Sequence, residues 1–398
     1  MHPSCTGCDD VAVDLATFEQ LLTDEGRALV AQVHARAGIE SDLALGTRLR
    51  RDHDPALVAA AVTQNHLRGK AVGKFGPEAA DLWFTHDALE QSTRHTVATA
   101  RAERLRSHGA EAVLDLGCGI GGDLLALARA GLRVRGVERD PVRAAIARAN
   151  LAAQGLEGEV LTADLADVQP DADEVAFLDP ARRSGAGRVF DVDAMEPPWS
   201  VVTERLRRRT VVKTMPGIEH RLLPGDVEAQ WVSDGGDLVE ACLWSPDLAG
   251  APRRATVLPG PHELTGDGSP ADVGPLAAWL HEPDDAVIRA GLVGTLADRL
   301  GAHLLDENLA YLTSDDPSPD PLARSFRVVE EVPFREKQLR AALVAHDVGP
   351  LTVKKRGVDV SPEKLVRRLR LDGTRPAVVV LARIGAGARA FLVEPATR

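Results

Sequence analysis

The sequence predicts an α/β protein: a doubly wound parallel sheet that ends in an antiparallel hairpin, with a helical domain before it and a small basic α/β domain after it. Three observations carry this. First, from residue 111 short apolar runs at 112–116, 133–138, 158–164, 175–179 and 210–214 alternate with helical stretches such as 123–130 and 141–154. That alternation belongs to parallel sheets covered by helices. Second, the apolar runs 230–233 and 238–244 flank Asp234-Gly235-Gly236-Asp237, a turn signal that predicts a hairpin. Third, the first run leads through Gly117-Cys118-Gly119-Ile120-Gly121-Gly122 into the first helix of that region.

The remaining elements follow in order. Residues 9–106 show no strand pattern, and 43–49 and 55–67 space Leu, Val and Ala three and four apart, as amphipathic helices do. Thr85 is an N-cap for a helix expected to run on through 99–105, with Phe84 and Leu89 as its hydrophobic staple. Asp140-Pro141 caps and starts the helix after the second strand. The tail predicts strand 326–332, helix 336–345, strand 351–355, helix 362–371 and a hairpin of 377–384 with 388–393 around Gly385-Ala386-Gly387. The expected division is therefore a helical N-terminal domain (1–108), a sheet domain (109–250), an acidic connector with helical segments (251–324) and a basic β-α-β-α-β-β domain (325–398).

Composition bounds the function. The 398 residues carry 47 Lys+Arg against 59 Asp+Glu, a net charge of −12, with 44% hydrophobic content. This is ordinary for a folded globular chain and excludes a disordered one. No apolar run approaches the roughly 20 residues that span a bilayer, and residues 1–10 lack an apolar signal core, so the expectation is a soluble, cytoplasmic protein. Four cysteines do not make a disulfide scaffold. Cys5-x-x-Cys8 has no second ligand pair and the histidines show no metal-ligand spacing, so no metal is expected. Residues 321–398 hold 16 basic and 8 acidic side chains, net +8, while 245–320 hold 4 and 13, net −9. A basic tail on an acidic body suggests nucleic-acid contact by the tail. A merely solvated charged face explains the same count.

The chemistry concentrates at the ends of the expected strands. Gly117, Gly119 and Gly121 open a turn in which a Cβ would block approach of a ligand, and Cys118 sits among them as a small residue. Gly117, Gly119 and Gly122 also fit the dinucleotide fingerprint. Asp115, two residues before the first glycine, argues against that, because its carboxylate opposes a pyrophosphate and attracts a cationic amino-acid ligand. Glu138 ends the second strand 19 residues after Gly119, where it can accept hydrogen bonds from both ribose hydroxyls. Asp164 ends the third, within reach of an adenine amine. Each acid alone is also readable as a cap or a solvated charge.

With three acids around one glycine loop, the chain resembles a class I S-adenosylmethionine-dependent methyltransferase with a Rossmann-like sheet, and that resemblance implies S-adenosylmethionine as cofactor. The fourth strand ends in Asp179-Pro180-Ala181-Arg182. Methyltransferases of exocyclic amines place Asp/Asn-Pro-Pro-aromatic there, where the acid and a proline carbonyl hold the amine and the ring stacks on the base. Asp179 and Pro180 match; Ala181 and Arg182 do not, so the ring must come from elsewhere, with Trp83, Phe84 and Trp199 as candidates. Together with Lys213 at the fifth strand's end, Trp83-Phe84-Thr85 and Val353-Lys354-Lys355-Arg356-Gly357, these residues resemble the bacterial methyltransferases with a C-terminal THUMP-like domain. A looser similarity, through Trp83-Phe84-Thr85, is to trimethylguanosine synthase, and it implies that Thr85 touches the cofactor's amino-acid end. The resemblance implies RNA as partner, with Arg182, Lys213, Lys354, Lys355 and Arg356 on the substrate side and Asp179 and Pro180 catalytic. Methylation of a base nitrogen of RNA is the leading expectation. A methyltransferase of proteins or small molecules and a non-catalytic RNA-binding protein stand as alternatives.

Overall fold

Aliphatic and β-branched runs form strands where the pattern places them, and the glycine turn that follows the first one fixes how the sheet is wound. The computed structural model describes residues 13–182 and 195–396, without the side chains of residues 181 and 182. Two compact units divide the chain.

The first unit takes in residues 13–182, 195–213 and 245–248. It opens with helices α1 (Leu15–Leu21), α2 (Asp24–Arg36), α3 (Asp42–Leu49), α4 (Pro55–Phe75), α5 (His86–Gln91) and α6 (His95–Ser107). There follow β1 (Ala112–Leu116), α7 (Gly122–Arg129), β2 (Arg133–Glu138), α8 (Pro141–Ala153), β3 (Glu159–Thr162) and β4 (Glu174–Leu178). A two-residue pair, β5 (Ala181–Arg182) with β6 (Met195–Glu196), precedes α9 (Trp199–Arg205) and β7 (Thr210–Thr214). These strands lie in the order β3-β2-β1-β4-β7, and each pairs parallel with its neighbour. The chain winds outward from β1 in one direction and then from β4 in the other. A crevice therefore opens at the carboxyl ends of β1 and β4, where doubly wound sheets bind ligands.

The sequence expectations err at element ends. The helix capped by Thr85 does not run through to residue 105 but breaks into α5 and α6. Ser92 Oγ donates to the Ala88 carbonyl at 2.6 Å, and Lys74 Nζ donates to the carbonyls of Leu89 and Ser92 at 2.8 and 3.0 Å. Those carbonyls are the acceptors a continuing helix would have used. Strand β3 stops at Thr162, so Asp164 lies two residues past it.

The second unit, residues 214–244 and 249–396, begins with the predicted hairpin, β8 (Glu228–Asp234) and β9 (Asp237–Trp244). Gly235 and Gly236 turn it at φ 62° and 90°, values that suit the tight turn and that only glycine adopts without strain. Then come β10 (Arg253–Leu258), β11 (His262–Gly266), β12 (Trp279–Pro283), α10 (Asp285–Ala290), α11 (Val293–Leu300), β13 (His303–Asp306) and β14 (Leu309–Ser314). Residues 251–324, expected as a connector with helical segments, thus carry five strands besides two helices. The tail forms β15 (Ala323–Pro333), α12 (Glu336–Ala345), β16 (Val348–Arg356), α13 (Pro362–Leu369), β17 (Arg375–Ile384) and β18 (Gly387–Pro395).

The tail is not a module that can be cut away. A seven-stranded sheet runs β13-β14-β12-β15-β18-β17-β16, so β15 of the tail lies between β12 and β18. Alternation along β17 serves both faces: Val379 and Leu381 join Leu339, Leu343, Leu365 and Leu369 of α12 and α13, while Val380 and Ala382 join Leu280, Tyr311 and Phe391.

Gly136, in the middle of β2, has no room for a side chain: a Cβ there would lie 2.7 Å from Leu124 Cδ1 and 2.9 Å from Cys118 Sγ. Gly136→Ala should therefore destabilise the chain by about 1–3 kcal/mol through overpacking. Gly69, exposed within α4 with nothing near its Cβ position, should respond oppositely, gaining about 0.5–1 kcal/mol as alanine. Urea unfolding of the two variants checks both signs.

Candidate functional site

The site is built on the ends of β1, β2 and β4. Leu116 pairs with Leu178, so the first residue past β1, Gly117, stands beside Asp179, the first past β4. A Cβ on Gly117 would come 3.7 Å from the Asp179 carbonyl oxygen. The amides of Gly117 and Cys118 both donate to the Val137 carbonyl, at 2.8 and 3.0 Å, which pins the loop to β2. Glu138 holds it from the other side: its Oε2 accepts from the Gly119 amide at 3.0 Å and its Oε1 from that of Asp140 at 2.9 Å. Gly119 has φ 56° with nothing within 4 Å of its Cβ position, whereas a Cβ on Gly121 would meet Ala147 of α8 at 3.4 Å. What calls for glycine at 121 is its left-handed φ of 86°, whereas Gly119 leaves an open face. Cys118 is buried, and that burial pushes its thiol well above the usual range. It packs; it does not react.

Asp115 is the most unusual group here. Its side chain is buried, with the residue 1% exposed, and neither carboxylate oxygen has a hydrogen-bond partner among the described residues. Burial raises its carboxyl well above the ordinary carboxylate range, the charges of Asp123 and Asp179 raise it further, and Arg101 and Lys213 oppose the shift. Leaving such a group unpaired costs stability unless a ligand satisfies it.

Around it runs one polar network. Lys213 Nζ, at the end of β7, donates to Asp179 Oδ2 at 2.6 Å and to Thr93 Oγ1 at 3.1 Å. Thr93 in turn donates to Asp123 Oδ2 at 2.8 Å, and Asp123 pairs with the buried Arg101. The Arg101 guanidinium also lies 4.6 Å from the Phe177 ring centre on β4. Lys213, expected to meet substrate, is thus engaged in holding Asp179. Asp179 Oδ1 accepts no hydrogen bond among the described residues, and its half-buried carboxylate reaches the rim.

Two buried amides that the sequence did not single out support Thr85. Gln64 on α4 donates to the Phe84 carbonyl at 2.7 Å and accepts from the Phe84 amide at 3.1 Å. Asn150 on α8 accepts from the Trp83 amide at 2.7 Å and donates to the carbonyls of Trp83 and of Ile120 in the glycine loop, at 3.1 and 2.9 Å. The segment before α5 is therefore tied to the loop. Thr85 Oγ1 caps α5 by accepting from the Ala88 amide at 3.3 Å, as expected. A polar residue inside an apolar helical stripe was the only sign of either amide.

The remaining expected residues lie outside this network. Asp164 is exposed, and its Oδ1 accepts from the Ala166 amide at 2.9 Å. Pro180 follows Asp179 on the same rim, while the side chain of Arg182 and the pair Cys5 and Cys8 lie outside the described residues. In the second unit, Lys354 pairs with Glu282 at 2.5 Å and Arg356 with Asp285 at 3.4 Å. Acids from 251–324 thus already answer two of the three strand-end cations, and Lys355 is the exposed one. Helix α13 ends at Leu369, not 371, because Arg340 donates to the Leu369 carbonyl at 2.8 Å and Arg370 turns left-handed, φ 46°. Lys364 and Arg367 remain exposed on it.

The residues present fit S-adenosylmethionine. An unsatisfied buried carboxylate suits the cationic end of the amino-acid portion, the open face at Gly119 admits close approach, and Glu138 stands where ribose hydroxyls are held. Among the described residues no helix is long and apolar enough to cross a membrane.

Family models match three stretches: a methyltransferase domain over residues 113–179, a THUMP domain-like region over 323–395 and a domain of unknown function over 14–71. Two curated relatives, from two strains of Mycobacterium tuberculosis, are each named an uncharacterised S-adenosylmethionine-dependent methyltransferase. Each is 41% identical over 350 residues, covering 84% of this chain and 94% of the relative. A crystal structure from Porphyromonas gingivalis, named only provisionally as a methyltransferase, aligns at TM-score 0.78 with 23% identity, over 94% of this chain and all of the other. It shares the fold.

Asp115 gives the site a testable signature. A carboxyl raised above its unfolded value holds its proton more tightly in the folded chain, so it lowers stability as pH rises from about 4 through the raised value. Asp115→Asn should raise the urea midpoint at pH 7, flatten this pH dependence and weaken cofactor binding in calorimetry. A lower midpoint at pH 7 would mean that the charge is compensated in the resting chain.

Proposed function

Since the chain belongs to the S-adenosylmethionine-dependent methyltransferases, with a class I sheet and that cofactor, we propose that it methylates a base nitrogen of RNA. The observation that carries this reading is the position of Asp179-Pro180 directly beside Gly117, at the switch point of the sheet. Bound against the glycine loop, S-adenosylmethionine supplies a methyl group already activated by its sulfonium. The work left to the protein is proximity and orientation. Asp115, Gly117, Gly119, Glu138 and Asp164 hold the cofactor, with Thr85 at its amino-acid end, and Cys118 and Gly121 shape the loop. Asp179 Oδ1 accepts one N–H of the acceptor amine and the Pro180 carbonyl the other, which fixes the nitrogen and its lone pair. Lys213 keeps Asp179 in place through Oδ2.

The likeness of 323–395 to a THUMP domain supports RNA as substrate, with Arg182 and the exposed Lys355, Lys364 and Arg367 as cations for its phosphates. The pairing of Lys354 and Arg356 with acids favours a second reading, in which the substrate is a protein or small molecule and the tail only docks.

Nucleoside mass spectrometry of total RNA from cells with and without the gene decides between them: a methylated base lost with the gene supports RNA, and an unchanged profile favours the second reading. Single-turnover transfer by Asp179→Ala should fall at least about 100-fold, as misplacement of a reacting group does, with cofactor affinity within a few-fold. An unchanged rate removes Asp179 from the chemistry. Lys355→Glu and Arg367→Glu should each flatten the salt dependence of RNA affinity by about one unit of slope, which filter binding at several salt concentrations measures.

A further inference from the structure

The seven-stranded sheet carries a cavity of about 310 Å³ that the proposed reaction does not use, lined by Trp279, Pro317, Pro319, Ser325, Arg327 and Glu394 among others. Its chemistry follows from register. Trp279 of β12 stands opposite Arg327 of β15, and Arg327 opposite Glu394 of β18. Directly opposed residues share a face, so one row across three strands presents an indole, a guanidinium and a carboxylate side by side. Arg327 Nη2 donates to Glu394 Oε2 at 2.5 Å, with the two side chains 52% and 50% exposed. Trp279 is half-buried, as is Trp199, whereas Trp83, Trp231 and Trp244 are buried in the core.

The cavity is built rather than incidental. Beside Trp279, the buried His281 hydrogen-bonds Ser325 Oγ at 2.8 Å and Ser314 Oγ at 2.7 Å, and burial lowers its pKa to about 4, so the floor is neutral. Ser314 Oγ meets the Asp316 carbonyl at 2.7 Å and Ser318 Oγ the Leu300 carbonyl at 3.0 Å. These bonds hold the segment that supplies the proline wall.

We infer that this cavity binds an unpaired guanine of the RNA substrate, an inference that rests on the RNA reading above. An indole and flat proline rings accept the face of a base. Arg327 donates to the O6 and N7 acceptors of guanine, and Glu394 accepts from its N1–H and exocyclic amine. Both charges exchange one partner for another and neither is stranded. Adenine reverses the pattern on that edge, with an amine where guanine has O6 and a bare N1 where guanine has N1–H. Its binding leaves the guanidinium facing a donor and the carboxylate facing an acceptor.

The test uses the full chain without cofactor and reads fluorescence anisotropy of short labelled oligouridines carrying one central guanosine or one adenosine. The guanosine strand should bind roughly 5- to 100-fold more tightly, the range one bidentate base contact supplies. Trp279→Ala should weaken both strands, and Trp279→Phe should restore most of the loss. Glu394→Gln should narrow the preference severalfold while keeping the stack, and thermal unfolding midpoints check that each variant folds. Equal affinity for the two strands, or wild-type affinity in Trp279→Ala and Glu394→Gln, overturns the guanine site. The two readings fail separately. Guanosine-selective binding by a chain that methylates no RNA overturns the proposed reaction alone, and RNA methylation without guanosine selectivity overturns the cavity's role alone.

Discussion

Everything at the site depends on one pairing, the parallel register of β1 with β4. Because Leu116 and Leu178 are partners, the glycine loop and the Asp179 turn leave the sheet side by side at the point where the winding reverses. A one-residue slip would turn every side chain of one strand to the other face. Phe177 would then lose Arg101, and Asp179 would leave the reach of Lys213. The cofactor loop and the acid that faces the acceptor are thus set by backbone pairing within a fully buried pair of strands, which is stiffer than any loop contact.

Upon that frame lies an electrostatic conflict left standing. Asp115, Asp123 and Asp179 face Arg101 and Lys213, and the direct pairs formed are Asp123 with Arg101 and Asp179 with Lys213. Asp115 is the remainder, buried and without a hydrogen bond among the described residues. Protein cores rarely keep such a group except where a ligand uses it. The surroundings are correspondingly firm: Gln64 and Asn150 satisfy both backbone groups of Phe84 and Trp83 and reach across to Ile120. Rigid neighbours hold a strained charge in place.

In the second unit, charge is distributed with more economy than the tally of +8 for residues 321–398 implies. Part of that excess is answered by acids of residues 251–324, which share its sheet, as Glu282 does for Lys354 and Asp285 for Arg356. The other cations of the tail still face solvent, on α13 and at Lys355 as well as at Lys337, Arg375 and Arg383. Of the rings that could replace the aromatic the Asp179-Pro180 turn lacks, Trp83 and Phe84 are buried and Trp199, at the start of α9, is half-buried. A second half-buried tryptophan, Trp279, lies on the sheet of the second unit, in a different chemical setting.

Sequence alone determined the alternation of strands and helices, the hairpin at Gly235-Gly236, the β-α-β-α-β-β order of the tail and the strand-end positions of Asp115, Glu138 and Asp179. These are written in local periodicity and turn chemistry, which act over a few neighbouring residues. Tertiary structure alone decided the break between α5 and α6, the employment of Lys213 on Asp179 and the insertion of β15 between β12 and β18. Each depends on a partner far along the chain: Lys74 lies 18 residues from Ser92 and Lys213 lies 34 from Asp179. The energy of such contacts comes from burial and satisfied hydrogen bonds, and no window of neighbouring residues contains both partners.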